Sequence, residues 1–482
     1  MQYAVIQRIL GILLILFSTT MIPPMVVSLI YRDGSLTAFI QAATVILGLG
    51  ILCWMPVKNV RRELRLRDGF LVVVLFWSVL GCAGALPLYL SASLELNLAS
   101  ALFESLSGLT TTGATVIVGL DTLPKSILFY RQELQWLGGM GIIVLAVAIL
   151  PILGIGGMQL YRAETPGPDK NNKLTPRITE TAKALWYIYL ILTLACAAAY
   201  WLAGMTLFDA ISHSFSTVAI GGFSTHDASM GYFNSTAIDM VAVVFMLLSG
   251  VNFALHYIAI RSRSLRPYRV DAELTTYLGI LSSVAAITVI YLIVSHTFAP
   301  AEAMLQGLFQ VVSIGTTTGF TTTNYLAWPG FLPVLLLFTS FVGGCAGSTG
   351  GGMKVIRVIL LFKQGMRELK RIIHPSAQLI VKTGRHAVPD RVIDAVWGFF
   401  ATYVAVFSIM MLLLLATGLD QVTAFSAVAA TINNLGPGLG EVGANYAGIN
   451  DFSKLVLCFS MLLGRLEIFT LLVLFTPTFW SK

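Results

Sequence analysis

The sequence predicts an all-α membrane protein, an N-terminal helix pair followed by four repeats arranged pseudo-fourfold about one central axis. Three observations predict it. Hydrophobic residues make up 56% of the 482 against 11% charged, and mean hydropathy is +0.83; a water-soluble domain of this length would expose too much apolar surface. One construction recurs four times: an apolar span, a short apolar helix with polar punctuation, a glycine turn and a second apolar span, the turns ending at Gly113, Gly222, Gly319 and Gly436. Lysines and arginines, finally, cluster on one side of the resulting plan.

Spans of about 20 residues cross roughly 30 Å of hydrocarbon. Ten can be drawn, near 4–30, 36–56, 69–90, 128–153, 182–204, 237–260, 275–297, 331–362, 392–417 and 452–476. The first is too long for a cleaved leader and no small-residue cleavage site follows it, so it is expected to stay. Basic residues are retained on the cytoplasmic side. Lys58, Arg61, Arg62, Arg65 and Arg67, then Arg162, Lys170, Lys173, Arg177 and Lys183, then Arg261, Arg263, Arg266 and Arg269, and then the stretch 354–391 all fall on one face. That places both termini in the cytoplasm. Acidic residues such as Asp33, Asp121, Asp209, Asp227, Asp420 and Glu441 bias the opposite mouth negative, which concentrates cations there. The net charge of +7 is thus a topology signal, and its spread over several loops argues against nucleic acid as a partner. The five cysteines sit in or beside apolar segments and imply no disulfide framework. The six histidines show no metal-ligand spacing.

The four glycines are separated by 109, 97 and 117 residues, a domain-scale period. Each unit crosses the membrane twice, so all four keep one orientation about an axis along the membrane normal. The expected boundaries are 1–66 for the helix pair and 67–165, 166–268, 269–385 and 386–482 for the four repeats. Within each repeat lies a stretch too short to span, 98–109, 208–218, 301–314 and 421–432. Asp209 and Asp420 stand where N-caps belong, and Pro300 precedes the third stretch. Such re-entrant pore helices aim their partially negative carboxyl ends at a shared cavity.

The backbone after each pore helix has to be irregular, which at membrane depth is tolerated only where protein buries it or it lines water. Main-chain oxygens from four such turns can replace a cation's hydration shell, and glycine reaches the positive φ values that the turn needs. The four filter turns read Thr110-Thr111-Thr112-Gly113, Ala219-Ile220-Gly221-Gly222, Thr316-Thr317-Thr318-Gly319 and Asn433-Asn434-Leu435-Gly436. Threonines of the first and third are expected to add hydroxyl oxygens. Hard oxygens without a carboxylate cluster suit a monovalent alkali cation better than Ca²⁺ or Mg²⁺.

The span after the third turn contains Gly343, Gly344, Gly347, Ser348, Thr349, Gly350, Gly351 and Gly352. At about 1 kcal/mol per glycine relative to alanine, it should break into two helices joined by a mobile loop. Met353 separates Gly352 from Lys354 and no hydroxyl residue follows the lysine, so this is no phosphate loop. Its place on the cytoplasmic side of the third turn points to a gate below the filter, with a passive kink as the alternative. Arg465, well inside the last span, is a functional candidate because inserting it is costly. Glu467, two positions on, does not share its helical face. The arginine's partner is therefore a carbonyl of the glycine-rich loop, pore water or another carboxylate. Coupling to protons would require buried carboxylates, and Glu104, Glu133 and Glu467 are the candidates. No nucleophile, base and orienting group can be assembled, so the chain is not expected to be an enzyme.

Together these motifs resemble the Trk/Ktr/HKT superfamily of potassium transporters, specifically its bacterial TrkH/TrkG-type pore subunits, over essentially the whole chain. The resemblance implies a K⁺-permeable pore in the bacterial inner membrane, with one filter glycine per repeat at Gly113, Gly222, Gly319 and Gly436. It implies K⁺ held by filter carbonyls, and a gate built from the 343–352 loop and Arg465. It also implies a homodimer in lipid, docked on cytosolic nucleotide-binding regulatory subunits of the TrkA type. This chain contains no nucleotide-binding fold, so it is expected to bind no cofactor itself and to respond to nucleotide only through that partner. The basic segment 363–391 is either the docking element or a solvated linker. Gated passive conduction and coupling of K⁺ to H⁺ or Na⁺ are the two competing mechanisms. One departure stands out: the turns continue with Ala114, Phe223, Phe320 and Pro437-Gly438, so the filter is not fourfold in detail and its selectivity is expected to be looser than a true tetramer's.

Overall fold

The computed structural model describes residues 1–60, 65–144, 178–384 and 386–481. The basic positions at 61–62 and 162–177, and the expected boundary between the first two repeats, lie outside them. Helices α1 (Tyr3–Thr19) and α2 (Ile22–Tyr31) form one long apolar segment that turns back into α3 (Leu36–Trp54). Gly11 and Gly50 meet where α1 crosses α3, and a Cβ on either would strike the other helix's backbone, the small-residue contact by which membrane helices approach.

Four helical groups follow. The first is α4 (Leu66–Leu90), α5 (Leu98–Leu109) and α6 (Lys125–Val144). The second is α7 (Ile178–Leu202), α8 (Leu207–Ala219), α9 (Thr236–Ser249) and α10 (Phe253–Ser262), with the short α11 (Arg266–Val270) after it. The third is α12 (Ala272–Val294), α13 (Pro300–Gly315), α14 (Leu332–Val342) and α15 (Val355–Ile373), and the fourth is α16 (Asp390–Leu415), α17 (Gln421–Ile432), α18 (Asp451–Arg465) and α19 (Phe469–Leu472). A two-stranded hairpin, Lys382–Thr383 against His386–Ala387, is the departure from an all-helical chain.

Among the described residues six helical segments are long and apolar enough to cross a membrane, and eight if two bent pairs count as one span each. Those pairs correct two spans expected to be continuous: α9 and α10 meet at 92°, and α18 meets the helical segment after it at 108°. The span expected near 128–153 runs into residues outside those described. The one near 331–362 breaks at the glycine-rich run as expected, α14 ending at Val342 against Gly343, and α15 beyond it is amphipathic, with Lys363, Arg367 and Lys370.

The four short helices are α5, α8, α13 and α17. Asn97 caps α5 by accepting from Ser100 N–H at 2.8 Å, and Asp420 caps α17 through the N–H groups of Val422 and Thr423. Helix α8 corrects the expectation for Asp209: Thr206 is the cap, accepting from Asp209 N–H at 3.1 Å, and Asp209 lies in the first turn. Helix α13 opens on Pro300. The helix that follows each turn packs on the pre-turn helix of the next group, α6 on α8, α9 on α13, α14 on α17, and α18 back on α5. Apolar cores form within this cycle: one joins the N-terminal helices to the first and fourth groups, and others lie in the second and in the third.

Candidate functional site

At the carboxyl end of each short helix the chain makes the same turn. In the second position of the turn, Thr111, Ile220, Thr317 and Asn434 have φ of 56, 56, 69 and 52°, and the glycines at 113, 222, 319 and 436 have φ of 80, 79, 86 and 102°. The third position donates its N–H to the carbonyl five residues back in every case: Thr112 to Ser107, Gly221 to Ser216, Thr318 to Ser313, and Leu435 to Ala430, at 2.7–2.8 Å. This is the Schellman closure of a helix, carried here on non-glycine residues that pay about 1–2 kcal/mol each for the left-handed conformation. Two of the four share no residue type at that position, so the geometry belongs to the site and not to a local preference.

The turns touch one another in sequence order. A Cβ placed on Gly113 would overlap Gly221 O; on Gly222, Thr318 O; on Gly319, Leu435 O; and on Gly436, Thr112 O. The contacts therefore run first to second, second to third, third to fourth and fourth to first. Asn434 Nδ2 also donates across the last seam to Thr112 Oγ1 at 2.9 Å. Five of the six threonine hydroxyls in the first and third turns make hydrogen bonds to the protein. Thr110 pairs with Thr112 and Thr316 with Thr318, both at 2.8 Å, while Thr317 Oγ1 accepts from Gly351 N–H at 2.7 Å. Asn433 points outward to Tyr403 and Ser340.

Residues that sequence reasoning did not single out hold the seams. Arg131 Nε donates to Glu104 Oε1 at 2.7 Å, Nη1 to Ser224 O at 3.2 Å and Nη2 to Thr115 Oγ1 at 3.0 Å. Glu104, a candidate for proton coupling, also accepts from Val116 N–H and Thr115; it is an anchor between the first two turns. Both side chains are buried, at 1% and 0% exposure. Arg131→Met should cost roughly 3–5 kcal/mol by leaving that carboxylate unpaired, whereas Arg131→Met with Glu104→Gln should be milder. Thermal unfolding of the purified protein checks this, and equal losses in the two variants would sink it. The last seam uses Tyr446, which donates its N–H to Thr115 O at 2.7 Å and its hydroxyl to Gly436 O at 2.8 Å. A readable signal existed for α6: Arg131, Gln132, Glu133 and Gln135 crowd polar groups into one apolar span.

Beyond the first two turns, His226 bridges two carboxylates, with Nδ1 2.5 Å from Asp121 and Nε2 3.6 Å from Asp209. Burial by itself would lower the imidazole's pKa, but the neighbouring Asp209 and Asp121 carboxylates outweigh it and raise it. The bond to His226 in turn lowers that of Asp121. A raised histidine pKa stabilises the fold fully below its unfolded value of about 6.5 and loses that contribution as pH climbs through the folded value. The lowered Asp121 carboxylate loses its contribution only in acid. The unfolding midpoint should therefore fall as pH rises from about 6.5, more steeply than in His226→Gln; parallel pH profiles would contradict the assignment.

Below the turns lies the segment 343–354, non-helical between α14 and α15. It is docked on three turns: Thr349 Oγ1 donates to Val218 O at 2.9 Å, Gly351 N–H to Thr317 Oγ1 at 2.7 Å, and Gly352 N–H to Asn433 O at 3.0 Å. Gly350 sits under Thr316 O, and Ser348 bonds back to Cys345 O. Gly343, Gly347 and Gly352 take positive φ, and a Cβ on Gly343 would overlap Gly351 O, so the segment folds on itself. Gly344 O accepts from Val355 N–H, closing the base. Glu273 Oε1 accepts from both Ala346 N–H (2.7 Å) and Ile356 N–H (3.1 Å), tying the two ends together.

Arg465 reaches the segment. Its Nη1 donates to Thr349 O at 3.2 Å and its Nη2 to Gly138 O at 2.7 Å. Glu467 pairs instead with Arg357 at 2.5 Å. Lys354, Arg357, Arg465 and Glu467 thus line one small cavity beneath the turns, with three cationic groups against one carboxylate.

The fold and site define a helical membrane-type protein whose four equivalent turns close into a cycle above a docked, cation-flanked loop. Residues 35–482 match the TrkH family, described as cation transport proteins. The Trk system potassium uptake protein TrkH of Vibrio parahaemolyticus is 62% identical over 485 residues, and that of Escherichia coli K12 58% over 483, each alignment covering 100% of both chains. The crystal structure of the potassium transporter TrkH from V. parahaemolyticus superposes with a TM-score of 0.92 at 59% identity, again over 100% of both chains. The chain belongs to the TrkH family of cation transport proteins.

Proposed function

We propose that this chain takes K⁺ into the cell across the inner membrane, through a selective pore at the centre of the four turns, gated from below by the 343–352 loop and Arg465. The observation that carries the reading is the closed cycle of backbone contacts among four turns of matching dihedrals. Oxygens held in such a cycle replace water about a dehydrated cation, and the carboxyl ends of α5, α8, α13 and α17 add partial negative charge. On this reading the chain is an N-terminal pair, 1–66, plus four pseudo-fourfold repeats, 67–165, 166–268, 269–385 and 386–482. The filter is the sixteen residues of the four turns, with K⁺ bound through their carbonyls, and both termini are cytoplasmic. The sequence likeness to TrkH proteins of Trk systems supports K⁺ as the ion. On the same reading the chain is a homodimer that meets nucleotide through a TrkA-type subunit, with the basic segment 363–391 as the docking element.

A coupled transporter is the second reading, and one observation favours it: Glu133 Oε2 is buried with no hydrogen-bond partner among the described residues, as a proton-carrying carboxylate would be. Glu104 and Glu467 are committed to Arg131 and Arg357. Tracer flux into liposomes separates the two. Passive conduction gives K⁺ uptake that follows its own electrochemical gradient; uphill accumulation driven by a pH or Na⁺ gradient at zero membrane potential would end the channel reading.

A further inference from the structure

The second turn lacks what stabilises the first and third. Gly221 stands where they have Thr112 and Thr318, and Ala219 where they have Thr110 and Thr316, so no hydroxyl pair closes it. Yet it holds the β-branched Ile220 at φ 56°, an outlier for that residue type. The vacated space is filled from α6. A Cβ on Gly221 would strike the carboxamide of Gln135. Gln135 Nε2 donates to Gly221 O at 2.6 Å, and its Oε1 accepts from Phe223 N–H at 3.1 Å, so one side chain brackets Gly222 on both sides. Gln132 Nε2 donates to Phe223 O and Arg131 Nη1 to Ser224 O, each at 3.2 Å. Gln132 and Gln135 are fully buried. One face of α6 thus satisfies four consecutive-strand main-chain groups of the next group's turn.

We infer that Gln135 is the specificity-determining positioning residue of the second turn, supplied by the neighbouring helical group in place of the turn's own hydroxyls. The inference rests on the proposed filter. Discrimination between K⁺ and Na⁺ depends on how the carbonyl dipoles are held, and Gln135 holds the two peptide groups that flank Gly222.

The test uses the full-length protein in liposomes, with Na⁺ and Rb⁺ uptake measured for the wild type, Gln135→Met, Gln135→Ala, Gln135→Ala with Ala219→Thr and Gly221→Thr, and Gly222→Ser, and with folding checked by gel filtration. Gln135→Met keeps the volume and removes both hydrogen bonds, so relative Na⁺ uptake should rise about tenfold, the equivalent of ~1.4 kcal/mol. Gln135→Ala should do at least as much, and adding Ala219→Thr and Gly221→Thr together, which restores the hydroxyl pair of the first and third turns, should recover most of the loss. Folded Gln135→Met with wild-type discrimination overturns the inference. If Gly222→Ser raises Na⁺ uptake while Gln135→Met does not, only the role of Gln135 falls; if neither changes it, the filter reading falls as well. Should Gln135→Met not fold, the triple variant decides: recovered discrimination supports the exchange, and lost discrimination overturns it.

Discussion

Gly319→Ser should abolish most of the preference for K⁺ over Na⁺, raising relative Na⁺ uptake by at least about tenfold, or ~1.4 kcal/mol of discrimination. Two physical effects act together at this position. The residue has φ 86°, which costs a side-chain-bearing residue about 1–2 kcal/mol. The new Cβ would also overlap Leu435 O and crowd Pro437, so the fourth turn has to move. Serine therefore disturbs two quadrants at once. Parallel Na⁺ and Rb⁺ tracer uptake into liposomes reads the effect, and an unchanged ratio in a folded variant counts directly against the filter.

Arg465→Met should raise basal K⁺ flux by about an order of magnitude. The guanidinium donates to Thr349 in the docked loop and to Gly138 on α6, bonds worth about 1.5–3 kcal/mol each when the donor is charged. If half of that biases the closed arrangement, its loss shifts the equilibrium roughly tenfold. Removing the charge also lowers the repulsion that a cation meets below the turns, so both effects have the same sign. Flux equal to or below that of the wild type would show the loop to be a bend and nothing more. Shortening the loop within 343–352 should act in the same direction, because its docking bonds to Val218, Thr317 and Asn433 need its full reach.

Much of the local structure was legible in the sequence, because it rests on local rules. The expected short helices 98–109 and 421–432 match α5 and α17 residue for residue, and the other two differ from α8 and α13 by a single residue at each end. The glycine-rich break falls where the summed helix penalty placed it. Tertiary partners were not legible. Glu104 and Arg131 are 27 residues apart and Arg357 and Glu467 are 110 apart, and no periodicity links them. The bend between α9 and α10 hid within an apolar run, although Gly250 and the cap Asn252 mark it. Aspartate is a good cap and so Asp209 reads as one in the sequence, but Thr206 stands three residues earlier and completes the same motif. The hydrogen bonds that the threonine hydroxyls make with each other and with the loop could be seen only once the turns were folded against it.

The seams between the four turns are each sewn by different residues: Arg131 and Gln135 at one, Ser229 at the next, Tyr325 and then Tyr446 at the others. In an assembly of four identical subunits every substitution is imposed fourfold. In a single polypeptide whose turns close their own ring, a substitution at one seam reaches the two turns that meet there and leaves the other two native, so on the proposed reading leakiness can be altered by degrees through genetic change.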